Sequence, residues 1–207
     1  MRWLIVCTLL FLCAPSKAQF SLMEGGNYSD VRHNNLLPGK RPVFGFFTGF
    51  SLQYYPFVKS DRLSVVNEFF YHLKGFRQDF KTDQFKHPLH YLAFPVLLSY
   101  DISSRLSVHT GCEFSLLITA NSLNENKNRR NEVYRGYDFG WNAGTGFYLL
   151  PGRVMLFSRF HYGLLPQMDY YQFDELGNMT PIKDVKNINV MVGLKIILGD
   201  EKIFPFR

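Results

Sequence analysis

The segment spanning residues 105–120 alternates bulky apolar side chains with small or polar ones. Its even positions are Leu106, Val108, Thr110, Cys112, Phe114, Leu116, Ile118 and Ala120, and its odd positions are Arg105, Ser107, His109, Gly111, Glu113, Ser115, Leu117 and Thr119. A period of two places one set of side chains on each face of a β-strand. Because about 9–11 tilted residues cross a bilayer as a strand, the pattern predicts a two-faced strand long enough to span a membrane.

Seven further stretches show the same alternation, and the connections between the stretches are long and short in turn. The predicted strands cover residues 19–29, 43–55, 63–76, 90–100, 105–120, 136–149, 153–164 and 187–198. The long polar connections are 30–42, 77–88, 121–135 and 166–186, and the short ones are 56–62, 101–104 and 151–152. Outer-membrane barrels have short periplasmic turns and longer extracellular loops. The sequence therefore predicts an all-β fold, an eight-stranded antiparallel up-and-down transmembrane barrel that starts and ends in the periplasm.

The first 18 residues have the pattern of a secretory signal peptide. Arg2 provides the positive start, residues 4–12 an apolar core, and Ser16-Lys17-Ala18 a cleavage site. We therefore expect residues 1–18 to be removed on export and residues 19–207 to form one barrel domain. Losing Arg2 and Lys17 lowers the net charge from +6 to +4, too mild a charge to predict nucleic-acid binding.

The polar face of the strands indicates which side points outward. Alternation alone also fits a soluble, lipocalin-like barrel with an apolar ligand cavity, which stays an alternative. The polar face, however, is rich in glycine, which fits where side chains crowd inside a narrow barrel. These glycines are Gly45, Gly49, Gly111, Gly140, Gly144, Gly146, Gly163 and Gly193. We therefore expect the apolar face to contact lipid.

Charged residues of both signs share this polar face. They are Glu68, Lys74, Glu113, Asp138, Arg153, Arg159 and Lys195. In a narrow interior they are expected to neutralise one another, so we predict a structural polar network of Glu68, Lys74, Glu113, Asp138, Arg159 and Lys195. A channel lined by these groups is the alternative. It is less favoured because an eight-stranded barrel is only wide enough for side chains.

Four strands carry motifs similar to those of one bacterial family. The matching residues are Glu68, Tyr71, Lys74 and Gly75, then Tyr91 and Pro95, then Asp138 and Gly140, and finally Arg159, Tyr162, Gly163 and Leu164. In this order they make nearly the whole mature chain resemble the PorT-like small outer-membrane β-barrels of Gram-negative bacteria, which have OmpX-like architecture. The resemblance is why we keep Pro95 in a strand, where its missing N–H normally argues against one.

The resemblance implies a non-enzymatic barrel and leaves open a role in assisting protein secretion. The sequence departs from the family at two places. Ala93 stands where relatives often carry an acidic residue, and the chain continues past the last strand as GDEKIFPFR instead of ending on an aromatic residue. The assembly machinery is therefore expected to recognise Phe204 or Phe206, or a less standard signal.

No residue pattern points to catalytic, cofactor-binding or metal-binding chemistry. His33, His87 and His90, with Asp30, Asp79, Asp83 and Asp169, lie in or beside predicted loops without the spacing of a catalytic or metal site. The inward His72, His109 and His161 are expected to be satisfied interior groups. Cys112, the one cysteine outside the predicted signal, lies on the apolar face.

The expected role is therefore that of an outer-membrane protein acting through its extracellular loops, as a surface interaction or envelope module. A narrow porin or transport channel, a lipid-modifying barrel enzyme and a soluble ligand-binding barrel remain alternatives. The expected partners are outer-membrane lipids or lipopolysaccharide, the barrel assembly machinery and a protein at the loops. Basic residues of the third long loop, Lys127, Arg129, Arg130 and Arg135, suit contact with lipopolysaccharide phosphates.

Overall fold

The described residues form ten antiparallel strands, eight of which form the barrel wall. The computed structural model describes residues 18–32, 40–56, 60, 62–79, 84–122, 125–128, 134–173 and 179–198. The strands are β1 (Gln19–Arg32), β2 (Lys40–Tyr54), β3 (Leu63–Asp79), β4 (Gln84–Asp101), β5 (Leu106–Ser122), β6 (Glu125–Asn128), β7 (Tyr137–Leu150), β8 (Val154–Gly163), β9 (Met168–Phe173) and β10 (Met179–Leu198).

Eight of these strands close on themselves. Each of β1–β5, β7, β8 and β10 pairs with the next in that order, and β10 pairs back with β1 from Phe20↔Leu198 to Arg32↔Lys186. The predicted eight-stranded antiparallel barrel is confirmed. Closure leaves no exposed sheet edge around the wall. Within the described part of the chain, no helix is long and apolar enough to cross a bilayer.

The strands extend further than predicted at one end of the barrel, which we call the loop end. There β3 continues to Asp79, β4 already begins at Gln84, and β10 begins at Met179. Two short strands, β6 and β9, pair with the ends of β5 and β10 inside segments predicted as loops. In the sequence of these extensions apolar residues do not alternate with polar ones, so the pattern that reveals a strand is missing there. The opposite end, with the short connections, is the turn end.

The outward face is the apolar one, as predicted. Along β4 and β5, Val96, Leu98, Phe114 and Leu116 are exposed, while the intervening Ala93, Leu97, Glu113 and Ser115 are buried. Two predicted positions are wrong. Ala120 points inward because the β4–β5 register shifts by one residue between Leu117 and Thr119. Arg153 is exposed in the turn before β8, where its N–H donates to the Leu150 carbonyl at 3.0 Å, because the strand begins one residue later.

Pro95 lies inside β4, as the motif suggested. It pairs with Glu113 of β5, but the β3–β4 ladder is interrupted beside it, between Asn67↔Val96 and Phe70↔Ala93. Proline has no N–H to donate, so one side of the ladder loses bonds at this position. The strand persists because its other neighbour holds it in register.

Candidate functional site

A carboxylate held by two cations lies inside the barrel towards the turn end. Arg159 of β8 binds Glu68 of β3 with two bonds, Nη1 to Oε2 at 2.6 Å and Nη2 to Oε1 at 2.9 Å. Lys195 of β10 donates to the same Oε1 at 3.0 Å, and Arg159 Nε donates to His109 Nε2 of β5 at 3.3 Å. We call Glu68, Arg159 and Lys195 the lower charge centre, with a formal charge of +1.

A second charge centre lies towards the loop end. Lys74 Nζ is 2.9 Å from Glu113 Oε1 and 3.7 Å from Asp138 Oδ2. Asn142 Nδ2 donates to Glu113 Oε2 at 2.9 Å, and Asn187 Nδ2 donates to Asp138 Oδ2 at 2.8 Å. We call Lys74, Glu113 and Asp138 the upper charge centre, with a formal charge of −1. The ring nitrogens of His161 lie 3.6 Å from one oxygen of each acid.

The six residues predicted to share an interior network all lie on the inward face and are at most 5% exposed. The structure divides them into the two centres, whose formal charges cancel. They come from five strands, with Glu68 and Lys74 both on β3, and each ion pair joins two strands that are remote in sequence. Each of the three acids forms an ion pair with a cation on another strand. The two centres therefore link the strands of the wall.

Apolar side chains fill the interior around the lower centre. One cluster contains Met23, Phe47, Phe70, Ala93, Tyr148, Met155, Phe157, Met191 and Ile197. At its middle, the Phe47 ring lies 5.9 Å from Phe70 and 5.7 Å from Phe157, centroid to centroid. Phe47 packs over Gly25 and Gly193, which face each other across β1 and β10. Sequence reasoning missed Phe47, although its position between the inward Gly45 and Gly49 was a usable signal.

A second apolar cluster closes the loop end. It contains Val31, Phe76, Leu89, Tyr91, Leu117, Ala120, Tyr134, Met168 and Val185. Buried Gln167 fastens it, because the Tyr91 hydroxyl donates to Gln167 Oε1 at 2.7 Å and Gln167 Nε2 donates to the Tyr137 carbonyl at 3.2 Å. The described residues 164–168, which follow β8, thus fold back into the mouth of the barrel. Gln167 and Met168 fall in the segment predicted as a long polar connection, 166–186, and nothing local in the sequence distinguishes them.

Towards the turn end, the described residues enclose a cavity of about 10 Å³ beside Glu68, Arg159 and Lys195. That volume accommodates about one water molecule. Its rim includes Ser99 and Ser107. The cavity is therefore lined by all three residues of the lower charge centre.

The loop-end residues weighed for chemistry are engaged in local contacts. His87 stacks on Phe76 with centroids 4.7 Å apart and lies 2.9 Å from the Tyr134 hydroxyl, while His90 contacts Tyr71. Asp30 pairs with Lys40, and Asp79 pairs with Arg41 and Arg77. His33, Asp83, Arg129 and Arg130 lie outside the described residues, as do the side chains of Lys127 and Asp169.

Two observations bear on metal binding and thiol chemistry. Among the described residues, no group of three or more His, Cys, Asp or Glu side chains is arranged to hold a metal ion. Cys112 is a free thiol, exposed on the outward face of β5 between Thr110 and Phe114. The Cys112 thiol therefore lies in the apolar band on the outside of the barrel.

Comparison with known proteins identifies the family. Residues 14–169 match the model of the outer membrane protein beta-barrel domain. One similar structure is the crystal structure of Ail, the attachment invasion locus protein of Yersinia pestis, in complex with the heparin analogue sucrose octasulfate. Ail is 15% identical to this chain, and the two superpose with a TM-score of 0.50 over 87% of this chain and 99% of Ail. Neisserial surface protein A (NspA) is 14% identical, with a TM-score of 0.50 over 86% of this chain and 97% of NspA.

At these identities the two structures show a common fold and nothing narrower. No curated protein sequence matches the chain. The family match covers most of the chain and agrees with the closed wall and its apolar outer face. The chain therefore belongs to the outer membrane protein β-barrel domain family and is an outer-membrane barrel.

Proposed function

We propose that this barrel acts through its loop end, as a surface interaction or envelope-support module that carries out no catalysis and uses no cofactor. The observation that carries the proposal is the filled interior. Arg159, Tyr91, Phe47, Phe70, Lys74 and Phe76 are among the largest side chains and are almost fully buried inside the wall. An eight-stranded barrel has room for such side chains and little else.

The order of the layers supports this view over a narrow porin. From the loop end inward come the apolar cluster fastened by Gln167 and the upper charge centre, and the Phe47 cluster then packs around the lower charge centre. A solute crossing the barrel would have to break ion pairs between buried groups, which costs several kcal/mol for each pair broken. The interior is accordingly a support for the ends of the barrel.

The two ends offer very different amounts of surface. At the turn end, β4 and β5 are joined by residues 102–105 and β7 and β8 by residues 151–153. At the loop end, β3, β4, β9 and β10 continue as strands past the apolar band, and the longest connections begin there. Loops on a rigid scaffold commonly carry binding function. With export through residues 1–18 and both ends of the wall at the turn end, the loop end faces the exterior.

The resemblance to PorT-like barrels supports a narrower form of the proposal, assistance to protein secretion. In that form the partner is a protein that binds the loop end, and the barrel assembly machinery inserts the chain. The lipid-modifying enzyme is not favoured, because the loop-end histidines and carboxylates that the structure describes are engaged with aromatic rings and cations.

The test is complementation of a deletion strain. We would compare the full chain, a variant in which residues 123–133 and 169–178 are replaced by short Gly-Asn turns, and the interior variant Glu113→Gln, which keeps Lys74 paired with Asp138. Protein secretion and detergent sensitivity are measured at equal amounts of folded barrel in the outer membrane. The full chain and the interior variant should restore both properties, and the loop variant should restore neither. Full rescue by the loop variant together with failure of the interior variant would contradict the proposal.

A further inference from the structure

Three cations face one another across neighbouring strands at the loop end. Arg41 of β2 pairs in register with Arg77 of β3, and Arg77 pairs in register with Lys86 of β4. Residues directly opposite in a sheet project on the same side, and here that side is the outward one. We call Arg41, Arg77 and Lys86 the basic row. Like charges directly opposite each other destabilise a sheet, so the row calls for a compensating anion.

The described part of the chain neutralises the row only in part. Asp79 contacts two of the cations, Arg41 Nε at 3.0 Å and Arg77 Nε at 2.9 Å. Among the described residues Lys86 has no ion-pair partner, and the Arg41 side chain is 65% exposed. Three cations and one carboxylate leave a formal charge of +2 on the row.

Two other described cations at the loop end are engaged within the protein. Lys40, next to Arg41 in sequence, pairs with Asp30 at 2.9 Å. Arg32 stacks over the Tyr162 ring at 3.9 Å and donates to the Gly163 carbonyl at 3.4 Å. The basic row differs from these two cations because it keeps an excess of positive charge.

The row lies just above the apolar band. On β4 the outward residues from Tyr100 to His90 span ten positions. At about 3.3 Å per residue and a strand tilt of about 40°, these ten positions rise about 25 Å along the barrel axis. That rise equals the height of the apolar band on the outside of such barrels. Lys86 is four positions further on, about 10 Å above the band by the same arithmetic. With the loop end outside, this is the level of the lipid headgroups in the outer leaflet.

We propose that the basic row binds the phosphate groups of a phosphorylated glycolipid in the outer leaflet, with the acyl chains against the apolar wall below. Arginine suits this role because its planar guanidinium binds phosphate oxygens in pairs. The inference rests on the orientation given under the proposed function. The binding test uses purified protein, however, so its failure is distinguishable from failure of the loop-based role.

The experiment is native mass spectrometry of the refolded mature chain in detergent micelles, titrated with bisphosphorylated lipid A. The variant Arg41→Gln/Lys86→Gln keeps Arg77 to hold Asp79. It should bind lipid A about 30-fold more weakly than the wild type, about 5-fold for each cation removed. The wild type should bind fully dephosphorylated lipid A more weakly than bisphosphorylated lipid A, by a similar factor. The variant should bind the two lipids equally.

Two controls complete the design. Arg105→Gln/Arg153→Gln removes the same charge from exposed residues at the turn end and should bind as the wild type does. Arg41→Lys/Lys86→Arg keeps the charges and should stay within about 3-fold of the wild type. Gel mobility before and after boiling verifies that each variant is folded. Equal binding by the wild type and Arg41→Gln/Lys86→Gln would overturn the proposal. Complete competition by millimolar inorganic phosphate would also overturn it, by showing a site for free anions.

Discussion

Arg159 links strands that are far apart along the chain. From β8 it binds Glu68 of β3 twice and His109 of β5 once, and Glu68 in turn holds Lys195 of β10. All four side chains are buried. A buried ion pair contributes little net stability when it is complete, but the loss of one partner leaves the other charge uncompensated. The lower charge centre is therefore sensitive to single substitutions.

Replacing Glu68 with Gln should destabilise the folded barrel by about 3–5 kcal/mol, because Arg159 and Lys195 are then buried without an acid. Urea unfolding in lipid vesicles measures the change. Val108→Ala on the outward face is the control and should cost much less, because it removes two carbons from a side chain that faces lipid. Equal urea midpoints for the two variants would mean that Arg159 does not neutralise Glu68 in the barrel.

Gly193 shows why glycine recurs on the inward face. A Cβ at this position would lie 2.4 Å from the Glu24 carbonyl oxygen and 2.6 Å from Phe47 Cζ. Phe47 can occupy the middle of the interior only because the wall beneath it has no side chains at Gly25 and Gly193. The predicted crowding on the polar face is thus due here to the backbone of β1 at Glu24 and to the Phe47 ring.

Gly193→Ala should therefore destabilise the barrel by about 1–3 kcal/mol through overpacking. Gly26→Ala is a matched control on β1, since a Cβ there would meet nothing nearer than the Gly45 carbonyl oxygen at 3.8 Å. The Gly26→Ala variant should be as stable as the wild type or more stable by up to about 1 kcal/mol, because alanine loses less backbone entropy on folding than glycine does. Chemical denaturation of both variants decides. A Gly193→Ala barrel as stable as Gly26→Ala would contradict the packing of Phe47.

At the scale of single strands, β4 offers a test of what the outward face contacts. Val96 is halfway along its apolar stretch and Tyr100 is at the turn end. In lipid, Val96→Arg should cost about 2–4 kcal/mol and Tyr100→Arg about 0–1 kcal/mol, because the cost of a charge depends on depth. Unfolding in vesicles measures both. Near-zero costs at both positions would indicate that the wall faces water.

Sequence reasoning located all eight wall strands because each has one face towards lipid and one towards the interior, which imposes a period of two. It missed the strand ends beyond the apolar band, such as Gln84 and Met179, because apolar residues do not alternate with polar ones in those stretches of sequence. It also misplaced Ala120. A one-residue register shift has no signature in the alternation up to that point.

The inward charged residues were identifiable for a related reason, since a charge on a membrane strand has to point inward. Their division into two centres was not predictable. Which cation meets which acid depends on the height of each residue on a tilted wall, and Lys74 and Glu113 come from strands far apart in sequence. Gln167 was invisible for the same reason, because its partners Tyr91 and Tyr137 are distant along the chain.

At the scale of the whole molecule, the two ends of the barrel are unlike each other. The loop end carries the apolar cluster, the folded-back connection and the basic row, while the turn end has short connections and a cavity for about one water molecule. Between them the two charge centres have opposite formal charges that cancel. A neutral, filled interior is what a rigid support for one functional end requires.

The central claim, that the interior is a filled support and not a path for solutes, is tested most directly by conductance in planar bilayers. Wild-type protein should show no stable porin-sized conductance, and replacing residues 123–133 and 169–178 by short turns should leave this unchanged, since the charge centres and the Phe47 cluster remain. A large, steady conductance that survives this replacement and changes in Glu113→Gln or Arg159→Gln would contradict the account.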